Sequence, residues 1–292
     1  LDLARTRAVV DAAIDAGIAF FDTADIYGNR SGAAIHGRPG GSETFLGELL
    51  EGRRDRVVLA TKFGGDMGDG TAARGAPQYV RSALEASLAR LRTDHVDLLY
   101  YHFADGVTPL GETLAAMAEL VAEGKVRALG VSNLDVAQLD EAARAAPIAA
   151  LQNEYSLLAR GPEHDVLPRC RELGIGFVPY YPLAAGLLTG KYRHAKAPPP
   201  GSRWAGAEAM AEGTWVSRGV EASAATFDLI GRLEAFAAER GHGLLDVAIA
   251  GLAAQPGVAS VIAGATTPEQ VRANAAAGEW LLGADDLRAL PA

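Results

Sequence analysis

The chain has 292 residues, 49% hydrophobic and 22% charged, which is ample for a large core and argues against a disordered chain. Its net charge of −9 argues against a nucleic-acid partner, because no bulk positive charge is present to neutralise phosphates. The single cysteine, Cys170, excludes an intrachain disulfide and fits a reducing, cytoplasmic setting.

Residues 2–16 read as an amphipathic helix, with Val9, Val10, Ala13 and Ile14 on one face and Gly17 as its stop. An apolar run over 18–21 then reads as a short buried strand, cut off by Asp22-Thr23-Ala24-Asp25-Ile26-Tyr27-Gly28. Such a cut-off suits either an acidic turn or a barrel strand reaching a site-bearing face. The stretch 29–41, rich in Gly, Ser and Ala, is too long for a simple connector and reads as a surface excursion or a lid. Ser42 is the expected cap of a helix over 43–50. A strand over 57–61 ends at Lys62, a Gly-rich loop covers 63–76, and Pro77 opens a helix to 91. A strand over 96–101 ends at His102, and a helix over 109–123 is stopped by Gly124. Strands over 126–131 and 148–151, ending at Ser132-Asn133 and Gln152-Asn153, flank a helix over 135–143. A helix over 163–173, closed by Gly174, leads to a strand over 175–178 that ends at Pro179-Tyr180. Residues 184–219 read as loop, 221–240 and 244–254 as helices, 258–262 as a seventh strand, and 268–277 as a helix before a short terminal one.

Strands alternating with helices indicate an α/β fold with a parallel sheet, and strands without period-two patterning indicate that both faces are buried. No GxGxxG follows a strand, which disfavours the dinucleotide fold that carries that fingerprint. No linker divides the chain, so 1–292 is expected as a single domain. No apolar run approaches ~18 residues, so no membrane span is expected, and no signal-peptide pattern opens the chain. Seven strands are one short of a closed (β/α)8 barrel; the first would lie before Leu1, and an open doubly wound sheet is the alternative.

Asp22, Tyr27, Lys62 and His102 all sit just past strand ends, which in a parallel barrel ring one mouth. Their chemistry suits protonation of a carbonyl oxygen. A tyrosine ordinarily ionises near ~10, a nearby ammonium favours its phenolate, an aspartate can hold that ammonium, and a histidine can orient the substrate. None of the four can supply a hydride, so a reduction needs a cofactor.

The sequence resembles the aldo-keto reductases. The resemblance rests on Phe21-Asp22-Thr23-Ala24 through Tyr27-Gly28, Gly41-Ser42-Glu43, Ala60-Thr61-Lys62, and Val96-Asp97-Leu98-Leu99 running to His102. It continues through Gly130-Val131-Ser132-Asn133, Leu151-Gln152-Asn153, Tyr181-Pro182-Leu183, Gly186-Leu187-Leu188-Thr189-Gly190-Lys191, and Val261-Ile262-Ala263-Gly264 with Pro268-Glu269-Gln270. The resemblance implies a TIM barrel whose first strand is absent from this sequence. It also implies a catalytic set of Asp22, Tyr27, Lys62 and His102, with Tyr27 as general acid. It assigns the nicotinamide amide to Ser132, Asn133 and Gln152, ring stacking to Tyr180, the pyrophosphate to Leu183, Gly186 and Lys191, and the adenosine end to Gly264, Thr266, Gln270 and Asn274. Phe63 and Phe103, which follow Lys62 and His102, are candidate apolar walls of the substrate pocket. Other pocket determinants are expected in loops 29–41, 63–76, 103–108 and 191–219, the last with Trp204 and Trp215.

NADPH is the cofactor the resemblance implies. Gly-Ala-Thr-Thr stands where NADP-using members commonly place a Lys or Arg, with Arg272 the nearest cation, so NADH is the alternative. The expected activity is reduction of a small aldehyde or ketone, without a metal. An NAD-dependent sugar or aldose dehydrogenase and a slow-turnover NADP-binding regulatory subunit are the competing readings, and oligomeric state is left open.

Overall fold

The computed structural model describes residues 3–28, 40–194, 196–200, 202, the backbone of 215–217, and 220–292. The lid expected over 29–41 therefore falls almost wholly outside the described residues, as do Trp204 and the side chain of Trp215. Two units divide the chain: Leu1–Gln152, Glu172–Ile175 and Thr266–Val271 form the first, and Asn153–Arg171, Gly176–Ala265 and Arg272–Ala292 the second.

In the first unit, α1 (Leu3–Asp15) buries Val10, Ala12, Ala13 and Ile14. Gly17 follows it at φ 78°, a left-handed conformation that glycine adopts without steric cost. Then come β1 (Phe20–Asp22), α2 (Gly41–Leu49), β2 (Val58–Phe63), α3 (Pro77–Leu91), β3 (Val96–Tyr101), α4 (Leu110–Ala122), β4 (Val126–Ser132), α5 (Val136–Ala145) and β5 (Ile148–Glu154). Strand β1 starts later than the expected 18–21, so Asp22 is its last residue and not the start of the loop. Gly40, not Ser42, occupies the N-cap of α2, in a left-handed conformation (φ 74°). Ser42 lies inside the first turn, where its hydroxyl accepts from Thr23 Oγ1 at 2.8 Å.

All pairings in this unit are parallel and follow chain order, β1 on β2 through β4 on β5. The register sets Asp22 beside Ala60, Lys62 beside Tyr100, Tyr100 beside Gly130, and Ser132 beside Gln152. Side chains alternate faces along a strand. Asp22, Lys62, Tyr100, Ser132 and Gln152 therefore share one face, and Phe63, Tyr101, Val131 and Leu151 take the other. On the first face a Cβ at Gly130 would lie 2.4 Å from the Tyr100 ring, so only glycine admits the tyrosine there. On the outside, α2 packs on α3, α3 on α4 and α4 on α5. A Cβ at Gly47 would sit 2.3 Å from the Arg90 carbonyl oxygen, so α2 and α3 approach closely there.

In the second unit, α6 (Val166–Leu173) is preceded by a separate 3-10 turn, Gly161–His164; Asp165 at φ −139°, ψ −83° breaks the single helix expected over 163–173. Strand β6 (Gly176–Tyr180) follows. Residues 258–262, expected as a strand, run beside β6 without a regular ladder: Ala259 N–H donates to Phe177 O at 2.8 Å, but Ile262 N–H reaches Pro179 O only at 3.4 Å. The supposed loop 184–219 contains a 3-10 turn at Ala184–Thr189 and the strand β7 (Trp215–Ser217), antiparallel to β8 (Val220–Glu221). Because Val220–Glu221 is taken by β8, α7 begins at Ala224 and not at 221, and extends to Ala238. Ser223 caps it by accepting from Thr226 N–H at 3.2 Å. Helices α8 (Leu244–Ala253), α9 (Pro268–Ala277) and α10 (Ala284–Ala289) complete the chain. Among the described residues no helix is long and apolar enough to cross a membrane.

Candidate active site

The strand ends of the first unit converge on Lys62, whose side chain is fully buried. Its ammonium has three N–H donors and three acceptors: Asp22 Oδ1, the main-chain oxygen of Thr23 at 2.9 Å, and Tyr27 Oη at 3.2 Å. The ammonium also lies 4.6 Å from the centroid of the Tyr27 ring. The second oxygen of Asp22 accepts from Gln152 Nε2 at 2.9 Å. Burial opposes the charge on Lys62, but the Asp22 carboxylate and Tyr27 outweigh it, and its pKa is raised.

Tyr27 is 39% exposed, and its phenol oxygen accepts from the buried Lys62 ammonium. The loop that carries it is tied to the sheet. Thr23 N–H donates to Ala60 O (3.0 Å), Asp25 N–H to Lys62 O (3.0 Å), and Ser42 N–H to Tyr27 O (3.2 Å). The His102 ring lies edge-on to Tyr27, with centroids 5.9 Å apart, and stacks on Phe103 at 4.3 Å. Burial, aided by the nearby Lys62 charge, pushes the His102 pKa down to about 3.

The ring is therefore neutral wherever histidines usually titrate, near ~6.5. The unfolded chain binds this proton first, so the contribution of His102 to stability is complete above ~6.5 and is lost as pH falls through about 3. NMR of the imidazole nitrogens is expected to show one unchanging neutral ring from about pH 5 to pH 8; a titration in that range would contradict it.

Next to this group, Ser132 Oγ donates to Gln152 O at 2.6 Å, and Asn133 Nδ2 donates to His102 O at 3.0 Å and Ser132 Oγ at 3.1 Å. Asn133 holds φ 59°, a left-handed conformation that asparagine tolerates better than most residues. Phe63 departs from its expected place. It is buried and stacked on Tyr101 (5.3 Å), on the sheet face opposite Lys62, because neighbours in a strand point to opposite sides. Phe103, outside the strand and 36% exposed, stays beside His102.

The model of the aldo/keto reductase family matches residues 2–292. The chain belongs to the aldo/keto reductase family. The chain is 39% identical over 189 residues to a probable aldo-keto reductase of Glycine max, covering 63% of this chain and 51% of the other, so it spans about half that relative's length. Its structure resembles a glycerol dehydrogenase from Gluconobacter oxydans with a TM-score of 0.81 at 27% identity, covering 98% of this chain and 84% of that one. It also resembles an aldo/keto reductase from Klebsiella pneumoniae in complex with NADP and acetate, at TM-score 0.72 and 31% identity, covering 99% and 86%. The parallel β/α alternation is that of the (β/α)8 barrel of these neighbours.

The remaining candidate residues lie in separate places. In the first unit, Thr267 Oγ1 caps α9 by accepting from Gln270 N–H at 3.3 Å, and Gln270 Oε1 accepts from Thr266 N–H at 2.7 Å. In the second unit, Tyr180 meets Tyr181 edge-on at 5.4 Å. Leu183, Gly186 and Lys191 follow on one irregular turn, and a Cβ at Gly186 (φ 104°) would lie 3.3 Å from Lys191 Nζ. Gly264 is exposed and Asn274 half-buried. Sequence reasoning missed the Thr23 carbonyl, an acceptor without a side-chain signature, and the left-handed Tyr181, Ala184 and Ala185, residue types that do not announce such a backbone.

Proposed function

We propose that the chain reduces an aldehyde or ketone to an alcohol with NADPH, Tyr27 giving the proton to the carbonyl oxygen. One observation carries the reading: Lys62 can only donate, so Tyr27 Oη accepts from it at 3.2 Å and keeps its own O–H for the substrate. The same ammonium stabilises the phenolate left after transfer; two unit charges at ~4 Å attract by about 4 kcal/mol at an intermediate dielectric, less where solvent reaches them. Asp22, with one oxygen on Lys62 and the other on Gln152, holds the ammonium in place and is not the acid. Neutral His102 carries a ring N–H that orients the carbonyl oxygen without adding a competing cation. Phe103 walls the approach.

A reduced nicotinamide held beside these residues would supply the hydride that none of their side chains can give. The donor set fits such a group. Ser132, Asn133 and Gln152 bring hydroxyl and amide groups together for its carboxamide, which would share groups that now hydrogen-bond within the chain. In the second unit, Tyr180 is the aromatic for the ring. A side chain at position 186 would press on the Lys191 ammonium, so glycine there keeps backbone and charge together, as a pyrophosphate requires. Leu183, Gly264, Thr266, Gln270 and Asn274 are assigned to the remainder of the nucleotide.

The test is a panel of aldehydes and ketones, run with NADPH and then with NADH, following loss of the reduced cofactor's absorbance. Turnover with NADPH is expected. Tight NADP binding with no turnover on any carbonyl would favour a regulatory subunit instead, and preferential use of NAD with a sugar or polyol would favour a dehydrogenase.

A further inference from the structure

Within the Tyr27 loop lies a second buried group that the reaction does not use. Asp25 is 2% exposed, and its Oδ1 has no hydrogen-bond partner among the described residues. It borders a cleft formed with Tyr79, Ser82, Ala86 and Arg90 of α3 and Asp69 of the loop after β2. Beside it stands Glu43 of α2, fully buried, with one oxygen on Thr61 Oγ1 (2.5 Å) and the other on Arg90 Nε (2.7 Å). The one guanidinium in this group is thus already committed to Glu43. The charged and titratable groups that act on Asp25 or lie across the cleft are Glu43, Arg90, Lys62, Tyr79 and Asp69. Two buried carboxylates sharing one committed cation is an unfavourable arrangement.

We propose that Asp25 is a positioning residue whose uncharged carboxyl packs the Tyr27 loop against α2 and α3, and that loss of its proton loosens the loop and withdraws Tyr27 from the substrate. This rests on the reading of Tyr27 as the proton donor. The linkage is short: the Asp25 main chain donates to Lys62 O, and Tyr27 N–H donates to Ala24 O at 3.1 Å, one turn from the buried carboxyl. Burial, then the Glu43 carboxylate, raise the Asp25 pKa to about 7, while a hydrogen bond from the Ile26 backbone N–H, then Arg90 and Lys62, pull the other way. The folded pKa lies above the ordinary carboxylate value, so the stabilising contribution is complete at acid pH and is lost as pH rises through about 7.

Two measurements test it. Hydrogen exchange of the Asp25, Tyr27 and Ser42 amides, corrected for intrinsic base catalysis, is expected to lose protection above about pH 7 in the native protein and to stay protected in Asp25→Asn. The pH profile of kcat/KM with NADPH is expected to decline on the same side, and Asp25→Asn to lack that decline. Glu43→Gln, which removes the neighbouring carboxylate, is expected to move the exchange midpoint to lower pH, and serves also if Asp25→Asn fails to fold. Protection that does not change across pH 7, or a profile that Asp25→Asn leaves unaltered, overturns the proposal. Exchange that switches as expected in a protein without turnover on any carbonyl would instead overturn the functional reading and leave the loop linkage standing.

Discussion

Tyr27→Phe is expected to lower kcat/KM for any carbonyl substrate by roughly a hundred- to ten-thousand-fold, the range that a positioned general acid supplies. The phenol oxygen is the group that Lys62 holds at 3.2 Å, and phenylalanine keeps the ring and its edge contact with His102 while removing the proton. Cofactor affinity should be unchanged. Lys62, fully buried, loses one of three acceptors, so a modest destabilisation of about 1–3 kcal/mol is expected beside the kinetic loss. Steady-state kinetics and denaturant unfolding of the same preparation separate the two effects. Full turnover in this variant would sink the assignment of the acid.

Lys62→Met should act on both activity and stability. It removes the stabiliser of the phenolate and leaves Asp22, whose side chain is 8% exposed, as a buried carboxylate supported, among the described residues, by Gln152. Breaking a buried pair from one side typically costs about 3–5 kcal/mol, whereas replacing both partners together is often close to neutral. The double variant Asp22→Asn with Lys62→Met is therefore expected to recover most of the lost stability and none of the lost activity. A single-variant loss below about 1 kcal/mol would mean that solvent reaches the pair; recovery of activity in the double variant would mean that the ammonium is not needed for proton transfer.

Individual residues show how far the chain could be read unaided. Asp22, Lys62 and His102 could be picked out because each breaks an apolar run at a strand end, and Tyr27 because it follows Asp22 in the same stretch; the structure brings Asp22, Lys62 and Tyr27 within hydrogen-bonding reach. The helix over 268–277 was legible because Thr267-Pro268 is a local start signal, and the Thr267 cap is present. Ser42 misled because its residue type suits a cap, while the actual cap is a left-handed glycine set by the entry of the chain into α2. Phe63 misled because adjacency in sequence is not adjacency in space along a strand: one step turns a side chain to the other face. The helix start at 221 failed because a distant backbone segment, Trp215–Ser217, takes those residues into a hairpin.

Local order in the chain was enough to establish the β/α alternation, the strand ends and the residue types that gather there, since these depend on short-range patterning of apolar and polar groups. Which of those groups actually meet depends on parallel register between segments about forty residues apart, as with Lys62 and Asp22. Three residues from Asp22, Asp25 is buried beside Glu43 and Arg90, which come from α2 and α3. Charge, burial and proton affinity at those positions are properties of the assembled neighbourhood, because each comes from atoms contributed by remote strands and helices.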